Sequence, residues 1–302
     1  MEHPISVTIA AYNASEVVIP TLDSVRAQTY KNYEVVVVDD GSPKPMREAI
    51  EAYAARYPDF PLRYVWQENT GPAGARKKCV EEAKHEFVAL LDHDDLWYPT
   101  KLERVNDYMN RVEADVYYHD ENEKTDEGSI SPIHYRDLDE KDPVEDLVIK
   151  GNTLSTSATI VNREFFIKTD PYGDHKRYGE DYECWVRLAA AGARFCHIPE
   201  ILGEYVRLST SLTVKSVDYM QKSNEEIVNF YDYLDKNKYT AEQIAALKDE
   251  RRAFNEYLLG RFYHANGEYR MAREYYAKSK KMGNHAIKCL VADLCAIIHK
   301  KI

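Results

Sequence analysis

The chain has 302 residues and a formal net charge of −11, with 44% hydrophobic and 30% charged residues. This is a globular composition with room for one large or two modest domains, and its acidity argues against a nucleic-acid partner held through phosphates. Five cysteines without a CxxC pair indicate reduced thiols and a cytoplasmic protein. The N-terminus is too polar for a signal peptide, and no run approaches the ~20 apolar residues of a membrane span.

The first hundred residues alternate between strand and helix signals. Short apolar runs predict strands at 5–12, 33–42, 62–67 and 86–91, and the intervening segments 16–28, 45–57 and 69–86 predict helices. Four consecutive valines at 35–38 have no polar face, as expected of a strand covered by helices on both sides. The alternation predicts an α/β fold with a mostly parallel, Rossmann-like sheet flanked by helices.

Carboxylates follow two of these predicted strands at the point where each strand ends. Asp40 comes after the second strand, and Asp92, Asp94 and Asp95 come after the fourth. Because the carboxyl ends of parallel strands share one edge of a sheet, and ligands bind there, we expect one carboxylate-lined crevice. The alternative for this cluster is that it is solvated and that Asp95 starts the helix expected near Pro99; for Asp95 itself we expect that helix-starting role.

The second hundred residues predict a further half of the same domain. Strands are expected at 115–119 and 155–162, a polar and irregular surface excursion at 120–150, a helix and a strand within 178–198, and a strand followed by a Ser/Thr-rich loop at 203–213. The composition changes after about residue 215. We therefore predict a first domain over 1–215, built from halves 1–100 and 101–215.

From residue 216 the sequence has helical periodicity and no β-rich run. Segment 257–279 predicts two helices, and its small and aromatic residues have spacings similar to a tetratricopeptide unit: Leu259, Gly260, Tyr263, Gly267, Ala272 and Tyr276. Glu256 and Asn284 occupy the Trp and Pro positions of that unit, so we expect an all-helical appendage over 216–302 with one hairpin. The last segment, 285–302, is amphipathic and predicts a capping helix or a contact with a membrane surface.

Four motifs in order give a family resemblance. They are "VTIAAYNASEVVIPTLDSVRAQTYKNYEVVVVDDGS", "NTGPAGARK", "LDHDD" and "GEDYECWVRLAAAG". Over some 180 residues they resemble a family-2 glycosyltransferase with the GT-A fold. The resemblance implies an inverting enzyme that takes a sugar from a nucleotide-diphosphate donor and uses a divalent cation, Mn2+ or Mg2+.

The resemblance also implies roles for the residues at the strand ends. Asp94 matches the direct metal ligand, and Asp92 matches the residue that supports the ribose and the metal shell. Asp40 matches the carboxylate that contacts the nucleotide base, and Ala10 and Tyr12 match the positions that frame this base. Carboxylate oxygens suit hard cations, and a cation neutralises the charge that builds on a departing diphosphate.

The second half of the reaction requires a base for the acceptor hydroxyl. Asp181 matches the family's catalytic base, and Glu180 is expected to position it or to start the helix. Arg76 is expected to reach the nucleotide base or the phosphates of the donor, and a surface ion pair is the alternative for it. Trp97 and Trp185 are candidates for stacking on a sugar, and a core position is the alternative for Trp185.

One segment departs from the family pattern. The family often carries Arg-x-His before Ser-x-Ser, and the corresponding stretch here is "YVRLSTSLT". Arg207 is present, and we expect it to contact phosphate. Ser209 stands where the histidine would be, which puts an imidazole ligand from this segment in doubt.

These observations predict a metal-dependent inverting transferase that moves a sugar, from a UDP-sugar in the first instance, to a hydroxyl of a glycan or a lipid-linked acceptor. One alternative is a scaffold whose helices bind a partner beside a degenerate transferase domain. A nucleotidyltransferase is the other, but it would need a Gly-rich basic signature after the first strand, where the chain reads "AAYNASE". We expect no nucleic-acid partner, and a location in the cytoplasm or at the inner face of a membrane.

Overall fold

The computed structural model describes residues 1–44, 46–173, 178–207, 217–283 and 286–297. The chain divides into two compact units, Met1–Ser209 and Thr210–Ile302. The boundary predicted at residue 215 lies outside the described residues. No helix in the described part of the chain is both long and apolar enough to cross a membrane.

The first unit is built on one nine-stranded sheet among the described residues. Its strands are β1 Ile5–Ala11, β2 Tyr33–Asp40, β3 Leu62–Gln67, β4 Phe87–Asp92, β5 Leu96–Trp97, β6 Val116–Thr125, β7 Ile130–Ile133, β8 Thr159–Asn162 and β9 Phe195–Arg207. The order across the sheet is β3-β2-β1-β4-β8-β6-β9-β5, with β7 paired to β6.

The four strands predicted in the first hundred residues are confirmed, and they run parallel to one another. Beyond β4 the sheet becomes mixed, because β8 lies antiparallel to both β4 and β6, and β6 and β9 are parallel again. The first unit contains seven helices among the described residues: α1 Val18–Arg26, α2 Arg47–Arg56, α3 Gly71–Glu82, α4 Lys101–Met109, α5 Pro143–Lys150, α6 Arg163–Thr169 and α7 Glu180–Ala190.

Packing on the sheet explains why the apolar runs became strands and the periodic segments became helices. Valines 35–38 are fully buried, as their continuous apolar run predicted. Helix α1 buries Val18, Leu22 and Val25, the three apolar residues of its predicted stripe. Burial of each such side chain contributes about 1.5–3 kcal/mol, so these strands and helices form the main core of the unit.

Segment 120–150 was predicted to be an irregular surface excursion, and this prediction is wrong because the segment contains strands and a helix. Strand β6 continues to Thr125 and pairs with β7 and β9, and α5 begins after Asp142, whose side chain accepts a hydrogen bond from the Glu145 amide. Glu121 is fully buried and accepts a hydrogen bond from the Tyr135 hydroxyl at 2.9 Å. The polar sequence of this segment was misleading because the fold supplies partners for its buried carboxylates, such as Tyr135 for Glu121 and His197 for Asp120. The two strands predicted within 194–213 are also one strand, β9.

The second unit is helical throughout its described residues. It contains α8 Val217–Asn229, a 3-10 turn Phe230–Tyr233, α9 Ala241–Ala265, α10 Tyr269–Lys281 and α11 Ala286–Ile297. Helices α9 and α10 pack closely at Gly260, where a Cβ atom would lie 2.5 Å from the Tyr276 ring. This contact uses two of the positions that resembled a tetratricopeptide unit; Asn284 lies outside the described residues.

Gly41 offers a test of how tightly the edge after β2 is packed. Its φ is +71°, and a Cβ would lie 2.6 Å from the backbone nitrogen of Asn69, whereas Gly128 has a φ of +81° with open space around it. We expect Gly128→Ala to lower the free energy of unfolding by about 1 kcal/mol through backbone strain alone, and Gly41→Ala by about 3 kcal/mol. Urea denaturation followed by tryptophan fluorescence measures both; equal losses would contradict the close packing.

Candidate active site

The carboxyl ends of the parallel strands form one edge, as predicted. Ala10, at the end of β1, pairs with Val38 on one side and with Asp92 on the other. The ends of β2 and β4 therefore flank the end of β1. The His93 ring lies 3.2 Å from the Ala10 carbonyl through Nδ1, which ties the turn after β4 to β1.

Arg76, on α3, joins this edge to the start of α7. Its Nη2 atom donates to both Asp92 oxygens at 2.8 and 3.0 Å, and its Nε donates at 3.2 Å. Its Nη1 atom donates to Glu180 at 2.9 Å. Glu180 is the first residue of α7, 104 positions along the chain from Arg76. One guanidinium thus brings together the acidic motif after β4 and the acidic motif that opens α7.

These pairs concern the alternative interpretation of Arg76, and its contact with the donor stays a prediction. The alternative considered was a surface ion pair, but the Arg76 and Glu180 side chains are only 13% and 8% exposed. Burial lowers the pKa of Arg76, and the nearby carboxylates of Asp92 and Glu180 more than reverse this, so the guanidinium stays charged. A buried charge of this kind is stable only when paired, so Arg76 acts as an internal connector between Asp92 and Glu180.

The two acids at the start of α7 have different surroundings. Burial, together with repulsion from Asp181, raises the pKa of Glu180 to about 7, and one Glu180 oxygen, Oε2, has no hydrogen-bond partner among the described residues. Asp181 is partly exposed and accepts a hydrogen bond from the Tyr182 amide at 2.7 Å. Burial also raises the pKa of Asp181 above its ordinary value. A carboxylate with a raised pKa on a partly exposed residue is suited to accept a proton.

Asp94 is the acid of the strand-end cluster with the least engagement inside the protein. It is half-buried, and its carboxylate accepts no hydrogen bond from another residue in the described part of the chain. Burial raises its pKa, with the Asp92 charge adding to the effect and His93 opposing it. By contrast, the Asp92 oxygens are occupied by Arg76.

These residues fit a divalent cation that is completed by a substrate. Within the described ranges, no three His, Cys, Asp or Glu side chains are grouped to hold a metal by themselves. Mg2+ characteristically binds through one or two carboxylates plus substrate phosphates and water, so a single uncommitted carboxylate at Asp94 is sufficient protein ligation for such an ion. Asp94 would hold the cation there.

Asp95 does not start the next helix, contrary to our expectation. Helix α4 begins at Lys101, with Thr100 at its N-cap and no side-chain cap. Asp95 is buried instead, and it accepts hydrogen bonds from the Ser157 hydroxyl and from the Val206 amide at 2.8 Å. It therefore ties the turn after β4 to β8 and β9.

Sequence reasoning missed Ser157, which lies just before β8. Its hydroxyl accepts a hydrogen bond from the Asp92 amide at 3.0 Å while donating to Asp95. Its carbonyl accepts from the Trp97 indole at 2.9 Å and from the Lys101 ammonium at 2.7 Å. The "STSATIVN" sequence marked only a strand; no local signal marks a residue that holds a turn more than sixty positions away.

The side chains predicted to frame a nucleotide base lie at the same edge but are used differently. Tyr12 is exposed, at 48%, and Ala10 is half-buried. Asp40 is buried, and it accepts hydrogen bonds from the Gln67 side chain and from the Thr70 and Gly71 amides. In this arrangement Asp40 organises the loop that leads into α3, and its contact with a base stays a prediction.

Both tryptophan candidates for sugar stacking are corrected. Trp97 is 3% exposed, and the Lys101 ammonium lies 3.4 Å from the centre of its ring. Trp185 is fully buried. Both rings are held in the protein interior because their large apolar area is removed from water there, so neither presents a face to a sugar.

Arg207 lies at the last position of β9 and is half exposed. Its Nη1 atom pairs with Glu123 at 3.3 Å. An exposed pair of this kind contributes little and exchanges readily, so the prediction that Arg207 contacts phosphate is retained. Ser209 lies outside the described residues.

The sequence motifs and the fold can now be compared with known proteins. Residues 6–166 match the sequence model of the family described as glycosyl transferase family 2. The chain belongs to this family. The match includes the strand-end acids and Arg76, and it makes the nucleotidyltransferase interpretation unnecessary.

Curated relatives agree with this assignment. The amylovoran biosynthesis glycosyltransferase AmsB of Erwinia amylovora is 28% identical over 206 residues, which cover 66% of this chain and 68% of AmsB. Several other glycosyltransferase relatives are longer, and the chain spans only 36% to 61% of their length.

Solved structures share the fold. S. aureus TarS, in complex with UDP-GlcNAc, gives a TM-score of 0.63 at 17% identity, covering 97% of this chain and 88% of that one. The mannosyltransferase PcManGT of Pyrobaculum calidifontis, in complex with GDP-Man and Mn2+, gives 0.60 at 17% identity, covering all of this chain and 82% of that one. The predicted GT-A class with a helical C-terminal region is confirmed.

Removing the Arg76 guanidinium should destabilise the first unit. Arg76→Met leaves Asp92 and Glu180 unpaired, and we expect it to lower the free energy of unfolding by about 3 kcal/mol, as for other broken buried pairs. Arg47→Met is a matched control, because the Arg47–Glu51 pair is exposed and contributes less than ~1 kcal/mol. Denaturant titration of both variants measures the difference; similar losses would contradict the internal role of Arg76.

Proposed function

We propose that this glycosyltransferase is a metal-dependent inverting enzyme that transfers a sugar from a UDP-sugar to a hydroxyl of a glycan or lipid-linked acceptor. The observation that carries the proposal is the Arg76 bridge. It links Asp92, two positions before Asp94, to Glu180, the neighbour of Asp181. The proposed site for the leaving diphosphate is therefore next to the proposed site for proton removal.

Each acid then has one role in the reaction. A divalent cation at Asp94 would neutralise the charge that develops on the diphosphate. Asp181 takes the proton from the acceptor hydroxyl while that oxygen bonds to the anomeric carbon. The bond between this carbon and the diphosphate oxygen breaks, and the diphosphate leaves with the electron pair. Attack opposite to the leaving group inverts the anomeric configuration.

Support for the donor and the acceptor comes from the compared proteins and from charge. TarS is described with UDP-GlcNAc and PcManGT with GDP-Man and Mn2+, so a nucleotide sugar and a divalent cation are reasonable for this chain. AmsB is named for amylovoran biosynthesis, which supports a glycan as the acceptor here. A cytoplasmic location is part of this proposal, since a reducing compartment suits a sequence whose five cysteines include no CxxC pair.

Donor binding tests the role of Asp94. Calorimetry with UDP and Mn2+ should detect binding that is lost without the cation. Asp94→Ala should weaken this cation-dependent binding by at least tenfold, since the protein's metal ligand is removed. Asp107→Ala, which removes a helix acid paired with Arg104, should bind as the parent does. Unchanged binding by Asp94→Ala would contradict the metal role, and failure of UDP, GDP, CDP and dTDP with every cation would contradict the function.

Transfer tests the role of Asp181. Asp181→Asn should retain UDP binding and lower the transfer rate by about 10²- to 10⁴-fold, the usual contribution of a general base. Because this carboxylate must be ionised to accept a proton and its pKa is raised, the parent's rate should fall on the acid side at a pH above the ordinary Asp value of 3.8. Equal transfer by Asp181→Asn and the parent would remove the assigned base.

A further inference from the structure

The last helix of the described chain buries small residues and exposes larger apolar ones. Helix α11 packs inward through small residues, Cys289, Ala292 and Ala296, which contact Ala272 and Tyr276. Its larger apolar side chains point outward: Leu290, Val291 and Leu294 are 47%, 54% and 54% exposed. These three residues, at helical spacing of one and four, form a single face, which we call the α11 apolar face. In the described part of the chain, the small residues form the packed side of α11 instead.

Lysines precede α11 in the chain. Lys278, Lys280 and Lys281 are exposed in the last turn of α10, and exposed Met282 follows them on the way to α11. In the sequence, residues 278–302 hold six lysines and one acidic residue, a net charge of +5 in a chain whose total is −11. The one acid, Asp293, pairs with Arg273 at 2.7 Å. Segment 278–302 therefore combines exposed apolar side chains with a net positive charge.

We infer that the α11 apolar face and the lysines of 278–281 form a docking surface for an anionic phospholipid membrane. A membrane interface offers an apolar layer for Leu290, Val291 and Leu294, and phosphate headgroups for lysines whose stems extend along it. The lysine charge is concentrated in one region of an otherwise strongly acidic chain, so the remaining surface is repelled by anionic lipid. The charge distribution therefore favours contact between this segment and an anionic membrane.

A second copy of the chain fits this surface less well. A symmetric contact through the α11 apolar face would bring the two lysine clusters toward each other, and like charges at an interface oppose association. The membrane proposal does not depend on the glycosyl-transfer proposal, because lipid binding is measured without donor or acceptor.

Vesicle flotation of the full chain tests the proposal. Vesicles of phosphatidylcholine with about one third phosphatidylglycerol should bind the chain, and pure phosphatidylcholine vesicles should not. Each lysine near an anionic surface contributes a factor of about five, so Lys278→Ala/Lys280→Ala/Lys281→Ala should reduce the partition coefficient by more than tenfold. Leu290→Ser/Leu294→Ser should reduce it similarly.

Matched control variants separate this surface from general adhesion. Lys31→Ala/Lys44→Ala/Lys141→Ala removes three exposed lysines of the first unit, and Ile130→Ser removes an exposed apolar residue there. Both should bind vesicles as the parent does. The proposal is overturned by absence of binding to anionic vesicles, by equal losses in the controls, or by a dimer in sedimentation that dissociates in Leu290→Ser/Leu294→Ser without any lipid binding. Binding to polyglutamate but not to vesicles would assign the surface to an acidic protein.

Discussion

The candidate site depends on one buried ion-pair system, in which Arg76 holds Asp92 on one side and Glu180 on the other. Three charges in a poorly solvated place are stable only together, because any one of them left alone would bear its full desolvation cost. The system also spans the chain: Asp92 ends β4, Arg76 lies on α3, and Glu180 begins α7. Electrostatic pairing thereby fixes where the helix that carries Asp181 starts relative to the sheet edge.

A second system, made of hydrogen bonds and not of ion pairs, fixes the turn after β4. Ser157 receives the Asp92 amide and donates to Asp95, and Asp95 receives the Val206 amide. The turn after β4 is consequently attached to β8 and β9, so that Asp92 and Asp95 serve the structure and leave Asp94 uncommitted. The proposed chemistry follows from this division: most acids at the edge maintain its geometry, and substrate contact is proposed for Asp94 and Asp181.

The sequence predicted those parts of the structure that local patterns determine. The valine run at 35–38 became a buried strand, and the ends of β2 and β4 share one edge because parallel strands must. The motif order identified the family. Positions decided by distant partners were beyond sequence reasoning: Asp95 has the spacing of a helix cap yet is bound by Ser157, and Trp97 follows an acidic cluster yet is covered by Lys101. Segment 120–150 had a polar composition, and its partners, such as Tyr135 for Glu121, became apparent only from the fold.

A crystal structure of the chain with UDP and Mg2+ is the most direct test of the proposal that Asp94 and Asp181 face the same donor. We expect an Asp94 oxygen about 2.1 Å from the cation and the diphosphate bound to that cation. Asp181 should lie on the side from which an acceptor would approach, and Arg76 should still join Asp92 to Glu180. A cation and diphosphate bound away from Asp94, or an Asp181 carboxylate directed away from the diphosphate, would contradict it.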